Sequence, residues 1–300
     1  MALDMAEYAK RVRLTDGAWG TQLQKKGLSP GSAPELWNAE KPAAVAAVAE
    51  GYVRAGSEVI LTNTFGANRF VLAAHGLAGR AAELAEKGAL LSRRAADAAK
   101  AAGRDVKVFA SIGPTGKIVM MEEVPKEDIA AAFAETAEAV AFGGADAIVL
   151  ESFGELDELR IALEAVKKAT DLPVVLSMTF ASGADKTRTM MGNSPGQLAA
   201  LAKAGGAAAV GANCGVGPDN YVRVAAMLHK ETDLPIWIKP NAGLPTVGAD
   251  GRTSFPMGPK DFAGFLPKLI AAGAKFIGGC CGTTPAHIEA LREALNKLSS

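Results

Sequence analysis

The sequence predicts an α/β fold closed into one parallel barrel, and three observations carry that reading. Short apolar runs rich in β-branched residues alternate with longer Ala-, Glu- and Lys-rich runs of helical period. Eight such pairs fit into 300 residues, the size of a (β/α)8 barrel. Proline stands at positions 195, 218, 259 and 285, each where a helix should begin. An open doubly wound sheet is the alternative. It calls for a glycine fingerprint after the first strand, and Asp16-Gly17-Ala18-Trp19-Gly20 does not have that spacing.

The strands are expected at 12–15, 58–62, 107–111, 147–151, 174–179, 208–212, 235–239 and 274–278. Helices fall near 43–55, 126–142, 155–169, 195–204, 218–231, 259–271 and 285–297, with one more over 68–101 broken around 76–79. No linker-like or low-complexity stretch interrupts them, so residues 1–300 read as one domain.

Composition narrows the function classes. Hydrophobic residues make up 49%, enough for a substantial core. Lys+Arg and Asp+Glu both number 32, so the formal charge is zero and no basic stripe points to nucleic acid. No apolar run reaches membrane-span length, and Met1-Ala2-Leu3-Asp4-Met5-Ala6-Glu7 has no signal-peptide regions. Three cysteines, an odd number, do not make a disulfide framework. A soluble cytoplasmic protein is the expectation.

The cysteines carry the most chemistry. Phe276-Ile277-Gly278-Gly279-Cys280-Cys281-Gly282-Thr283-Thr284-Pro285 is an apolar strand ending in two thiols, followed by a helix with Thr284 as expected N-cap. Gly211-Ala212-Asn213-Cys214-Gly215 repeats the order of strand, cysteine, glycine. Three thiols at two strand ends can hold one zinc and leave its fourth position open, the mark of a catalytic site. Against this, buried cysteines commonly act as small hydrophobes. Neighbours on a regular strand also point to opposite faces, so Cys280 and Cys281 share a metal only if the chain turns there. Gly278, Gly279 and Gly282 permit such a turn.

In a barrel the chemistry gathers at the C-terminal ends of strands. Those ends carry Asp16, Asn63 and Thr64, Gly113 and Pro114, Glu151, Thr179, Asn213 and Cys214, Lys239 and Asn241, and Cys280 and Cys281. Asp16 and Glu151 read either as helix caps and rim charges or as partners for a cationic group such as an ammonium. Lys239 reads as a stem reaching solvent, with a Schiff-base lysine as the alternative. His75, His229 and His287 lie on helical segments and read as surface or packing residues. Trp19, Trp37, Phe65 and Phe180 lie near loop positions, where they serve core or lid or form an aromatic cage for a methylated ammonium.

These motifs together resemble the zinc-dependent homocysteine S-methyltransferases, over nearly the whole chain. The marks are Asp16-Gly17-Ala18-Trp19-Gly20-Thr21, Thr62-Asn63-Thr64-Phe65, Gly113-Pro114-Thr115-Gly116, and Gly143-Gly144-Ala145-Asp146 leading to Glu151. Gly211-Ala212-Asn213-Cys214-Gly215, Pro240-Asn241-Ala242-Gly243-Leu244-Pro245 and Gly278-Gly279-Cys280-Cys281-Gly282-Thr283-Thr284-Pro285 complete the set. The resemblance implies Zn2+ on Cys214, Cys280 and Cys281, with homocysteine thiolate in the fourth position. It implies Asp16 and Glu151 at the amino-acid end of the substrate and Asn241 near the metal; Thr64 joins them as a substrate-binding position.

The implied reaction gives methionine, and the donor is open. The chain is similar to the first module of cobalamin-dependent methionine synthase, so the expected donor is methylcobalamin on a separate corrinoid protein or a methyltetrahydrofolate-linked one. Gly-rich loops such as 243–251 would supply a docking surface for it. Pro34-Glu35-Leu36-Trp37-Asn38 and Thr189-Met190-Met191-Gly192 resemble bacterial homocysteine methyltransferases that use betaine. Direct transfer from betaine or S-methylmethionine is therefore the alternative. Ser152 after Glu151, where animal betaine enzymes have tyrosine, counts against it. A Lys239 aldolase-like barrel and a non-catalytic zinc-holding subunit are the readings from other classes.

Overall fold

The computed structural model describes residues 3–247 and 253–299. Its eight parallel strands are β1 (Arg13–Leu14), β2 (Val59–Ile60), β3 (Lys107–Ile112), β4 (Ala147–Phe153), β5 (Val174–Met178), β6 (Ala209–Asn213), β7 (Ile236–Lys239) and β8 (Ala274–Ile277). Each pairs with its sequence neighbour, β8 pairs with β1, and a parallel bridge from Thr15 to Val59 closes the ring. All eight expected strands are present and the barrel closes; the open doubly wound sheet is excluded by the β8–β1 pairing.

The helices fall where the proline and periodicity signals put them, including Pro42–Arg54, Ala81–Ala101, Lys126–Phe142, Leu156–Ala169, Pro195–Ala204, Pro218–Glu231 and Pro285–Ser299. Two expectations need correction. The helix over 259–271 is two pieces, Pro259–Ala263 and Leu266–Ala271, because Gly264 ends the first and Pro267 follows the start of the second. Thr284 does not cap by its hydroxyl alone: its amide donates to His287 Nδ1 (3.2 Å) and its Oγ1 pairs with the same nitrogen (3.0 Å). The short helices Met5–Tyr8, Gly20–Lys25 and Trp37–Glu40 are additions that the pattern did not reveal. Each is too short to show a period.

Two apolar layers follow from strand alternation. Side chains such as Val59, Phe109, Ala147, Val175, Trp237 and Phe276 fill the barrel interior, with Met5 and Tyr8 closing one end. Phe109 stacks on Trp237 at 5.8 Å, and Phe276 lies 5.6 Å from Trp237. The aromatic bulk of these three is offset by small residues at Ala147 and Ala209 on the same layer. The alternate positions, among them Ile148, Leu150, Leu176, Val210 and Ile238, pack outward under the helices.

Strand β4 carries one local irregularity that matters for function. Leu150 pairs with Leu176, and Phe153 pairs with Met178, so two residues of β4 face one of β5. The extra residue is a bulge at Glu151–Ser152, with Ser152 at φ +64°. Past the bulge, Phe153 joins the outer core instead of the interior. Strand β4 thus runs two residues beyond the expected end at 151.

The spacing between β6 and β7 is set by Gly211, where a Cβ would stand 1.8 Å from the Trp237 carbonyl oxygen. Gly211→Ala should therefore lower stability by about 1–3 kcal/mol or more, the cost of overpacking a filled core. The thermal midpoint checks it: an unchanged midpoint would mean that the two strands part freely there.

Candidate active site

The C-terminal ends of β6 and β8 bring three thiols together. The sulfur atoms of Cys214, Cys280 and Cys281 lie within 4.8 Å of one another, each residue partly buried. Cys214 sits at a left-handed corner, φ +66°, an uncommon conformation for a side chain with a Cβ. Its amide donates to the Lys239 carbonyl (3.1 Å), and the Tyr221 hydroxyl reaches its carbonyl (2.7 Å). Gly215 continues the turn at φ +68°.

Cys280 and Cys281 converge because the chain leaves the sheet before them. The Cys280 amide donates to the Pro240 carbonyl (2.7 Å), and the Cys281 carbonyl accepts from Ala242 (3.0 Å). Of the three glycines around the pair only Gly282 has positive φ, +81°. Gly278 and Gly279 serve close packing instead. A Cβ on Gly278 would lie 2.0 Å from the Thr15 hydroxyl, and one on Gly279 would lie 2.4 Å from Thr283. Thr283, fully buried, donates to the Cys280 carbonyl (2.7 Å) and accepts from the Ala18 amide (3.1 Å). No disulfide forms; all three cysteines are free.

The three thiols share their protons. Hydrogen bonds from Cys280 and Cys281 pull Cys214 well below the ordinary thiol value, and Asn241 adds a smaller pull. The same contacts with Cys214 push Cys280 and Cys281 up, Cys281 to about 12. Such a cluster yields one thiolate readily and keeps the next protons until a cation compensates the charge. Asn241 is 3% exposed, and its Oδ1 has no hydrogen-bond partner. A tetrahedral zinc with Zn–S near 2.3 Å separates its sulfurs by about 3.8 Å. Three close thiols beside an unpaired amide oxygen fit that ion.

Asp16 and Glu151 stand at the same mouth in different states. Asp16 is fully buried and its carboxylate is already engaged. Oδ2 accepts from Trp19 Nε1 (2.7 Å) and the Leu61 amide (2.7 Å), and Oδ1 pairs with Lys239 Nζ. Lys239 is 2% exposed. The expectation of a lysine stem reaching solvent is thus corrected: the buried carboxylate of Asp16 holds its ammonium inside. Its nitrogen donates to Asp16 rather than standing free as a nucleophile, which removes the geometric basis for the Schiff-base alternative.

Glu151 accepts from the Ser111 hydroxyl. Burial pushes it from the usual 4.5 up to about 7, against the pull of Lys239 and Ser111 and with a further push from Asp16 and Cys214. Asn213, unremarked in the sequence beyond its place before Cys214, holds the bulge beneath it. Its Oδ1 accepts from the Ser152 amide (2.9 Å) and the Ser177 hydroxyl (2.6 Å), while Nδ2 donates to Ser152 Oγ (2.7 Å).

Other motif residues form the frame. Thr64 is fully buried; its hydroxyl donates to the Ser111 carbonyl (2.7 Å) and pairs with Thr62. Glu35 accepts from the Gly66 amide (2.7 Å), Asn38 pairs with Asn63 (2.8 Å), and Glu158 accepts from the Thr115 amide (2.7 Å). Trp37 and Phe180 are buried, so they cannot line an aromatic cage; Phe65 is exposed and Trp19 half-buried. His75 and His229 are exposed, and buried His287 bonds Thr284 and the Met257 carbonyl, away from the thiols.

A parallel barrel with three clustered thiols, a buried ion pair and a second carboxylate at its C-terminal mouth carries its reactive groups where barrel enzymes do their chemistry. The homocysteine S-methyltransferase family model matches residues 13–295, and the chain belongs to that family. It is 33% identical to methionine synthase of Mycobacterium tuberculosis over 96% of this chain and 25% of that protein. Methionine synthase of Mycobacterium leprae is 32% identical over 96% of this chain and 24% of its own length. The chain thus spans about a quarter of these relatives. Among solved structures, the homocysteine methyltransferase MmuM of Escherichia coli in its metallated form superposes with TM-score 0.79 at 28% identity, covering 96% of this chain and 98% of that one. Its oxidized form gives 0.78 at 26% identity, covering 94% and 95%.

The raised Glu151 has a measurable consequence. Between about pH 4.5 and 7 the folded chain holds a proton there that the unfolded chain has lost. The contribution is therefore greatest below 4.5 and declines as pH rises to about 7. In metal-free protein this group should cost about 2–3 kcal/mol of stability between pH 5 and 8. Glu151→Gln should remove that decline, as read by denaturant unfolding at both pH values.

Proposed function

We propose that this chain transfers a methyl group to the sulfur of homocysteine, giving methionine. The observation that carries this reading is the convergence of Cys214, Cys280 and Cys281 beside Glu151 at the barrel mouth. The three cysteines would hold zinc. When bound, zinc supplies a Lewis acid that keeps a thiol substrate deprotonated at neutral pH. Three cysteine thiolates leave a doubly charged cation net negative, which favours a nucleophilic substrate sulfur over an electrophilic carbonyl.

The protein's own groups would bind and orient. Glu151 would take the substrate ammonium, whose charge would stabilise the carboxylate that burial disfavours. Asn241 would face the sulfur cluster with its unpaired oxygen. Thr64 would act through Ser111, keeping Glu151 in place. In the reaction the thiol proton is lost and a sulfur–carbon bond forms. The methyl–donor bond breaks, and its electron pair stays with the donor.

The rim supports a large donor. Phe65, Ile118, Met120, Met121, Met190 and Leu244 are exposed apolar residues, each on a segment that follows a barrel strand. Such a surface fits a methylcobalamin- or folate-carrying partner better than a small onium ion in solution. Of the loop 243–251, residues 248–251 lie outside the described residues. A direct onium donor keeps one point in its favour: Phe65 and Trp19 both reach the mouth. No helix among the described residues is long and apolar enough to cross a membrane. Free thiols suit a reducing compartment, and we place the protein in the cytoplasm on that ground.

Metal analysis of purified protein should give about one zinc per chain. Cys214→Ser, Cys280→Ser and Cys281→Ser should each lose most of it and most activity while keeping the fold. A variant that retains full zinc and full turnover would exclude that cysteine as a ligand.

The donor is decided by turnover. Zinc-loaded protein with homocysteine should form much more methionine from methylcobalamin than from glycine betaine or S-methylmethionine. Strong turnover with betaine alone, abolished in Trp19→Ala, would replace the carrier reading with direct onium transfer.

A further inference from the structure

The corner that carries Cys214 is held by a side chain from the helix that follows it. The chain leaves β6, turns through Cys214 and Gly215 at φ +66° and +68°, and enters the helix Pro218–Glu231. Tyr221, fully buried on that helix, reaches back to the turn the chain has just left. Its hydroxyl oxygen stands 2.9 Å from the Asn213 carbonyl and 2.7 Å from the Cys214 carbonyl. A tyrosine hydroxyl has one hydrogen to donate, so the two carbonyls share it.

Those carbonyls belong to the two peptide planes on either side of the Cys214 Cα. The angles φ and ψ at Cys214 are the rotations of these planes about that atom. In extended backbone successive carbonyls point to opposite sides, and one donor cannot reach both. In helical-type backbone of either hand they point the same way. The first plane is pinned at both ends: Thr179 Oγ1 donates to the Asn213 carbonyl (3.0 Å), and the Cys214 amide donates to the Lys239 carbonyl (3.1 Å). The hydroxyl then fixes the second plane against the first. Without it neither carbonyl is stranded, because Thr179 still serves Asn213 and the Val216 amide (2.8 Å) still serves Cys214. What the hydroxyl contributes is therefore the direction of the corner.

That direction decides where the sulfur goes. At an ordinary negative φ the Cys214 side chain would leave the backbone on another side, away from Cys280 and Cys281. The left-handed conformation is unfavourable for a residue with a Cβ and persists only where neighbours enforce it. The same turn reaches the other side of the cluster: the Val216 carbonyl accepts from the Asn241 amide (3.0 Å), and the Pro240 carbonyl takes the Cys280 amide (2.7 Å).

We propose that Tyr221 is a positioning residue for the metal centre, its hydroxyl fixing Cys214 in the corner that turns the sulfur toward Cys280 and Cys281. The inference rests on the zinc reading and adds to it the side chain that sets the site's geometry before metal arrives. Partners of this kind, one step out from a ligand, tune metal affinity without touching the ion.

The test compares Tyr221→Phe with Tyr8→Phe. The second variant also loses a buried hydroxyl that donates to a main-chain oxygen, that of Glu58 (3.0 Å), but at the opposite end of the barrel. Zinc affinity is measured by competition with a chromophoric chelator at a temperature where the metal-free proteins are folded by circular dichroism. Tyr221→Phe should bind zinc about 10–100-fold more weakly than wild type, and Tyr8→Phe should match wild type. With cobalt(II) in place of zinc, the thiolate charge-transfer and d–d bands should change in Tyr221→Phe and stay as in wild type in Tyr8→Phe. Zinc affinity in Tyr221→Phe equal to that of Tyr8→Phe, or cobalt bands identical to wild type, overturns the positioning role and leaves the zinc reading standing. A Tyr221→Phe chain that does not fold overturns it too, in favour of a folding role. A wild type that binds no zinc overturns both readings.

Discussion

The buried ion pair between Asp16 and Lys239 is the contact on which the mouth of the barrel depends. Asp16 ends β1, Lys239 ends β7, and the Asp16 carboxylate also takes the Leu61 amide just past β2. The Asp16 carbonyl accepts from Gly279, which leads into the cysteine pair (3.0 Å). One residue thus joins four strand ends across the seam where the sheet closes. Removing one partner of such a pair leaves a charge stranded in low dielectric, typically at a cost of about 3–5 kcal/mol. The pair itself adds little net stability, since both ions were desolvated to form it. Its value lies in position: it holds a cation inside a mouth otherwise lined by acids and thiols.

The sulfur cluster rests on backbone that side chains rarely adopt. Cys214 and Ser152 both have positive φ, and both are tied down by neighbours that over-determine them. Tyr221 caps the Cys214 carbonyl, and Asn213 holds the Ser152 amide and hydroxyl. Strain of this kind survives only where surrounding contacts exceed it, and it gathers at functional sites. Here it turns Cys214 toward the pair from β8. The bulge at Ser152 separates Glu151, at the mouth, from Phe153 in the outer core. Placement of thiols and carboxylate is thereby transmitted through β4, β5 and β6, whose ends are joined by Ser177 and Asn213.

Around this polar floor the rim is apolar. Methionines at 120, 121 and 190 leave flexible, polarizable side chains exposed there. The main chain of Val119 and Met120 is anchored by Glu155, and Asn193 receives the Leu156 amide. The segments after β3 and β5 are therefore both tied to the start of the helix after β4. A polar, buried floor of charged groups and thiols thus lies below an apolar rim.

The order of elements, the barrel and the three cysteines that converge at its mouth were legible in the sequence because each has a local signature. Strand and helix periods, prolines at helix starts and cysteines after apolar runs depend on a few consecutive residues. The β4 bulge, the left-handed corners and the packing role of Gly278 and Gly279 were not legible. They arise from contacts such as Thr15 on Gly278, between residues hundreds of positions apart. Lys239 shows the division most plainly. By sequence it is a lysine at a strand end, where solvent is the ordinary destination for its charge. Only the closure of the barrel, which brings Asp16 within reach from the other end of the chain, decides that it stays buried. An ionic attraction inside a low-dielectric core depends on distance in space, and a linear order of residues carries no such distance.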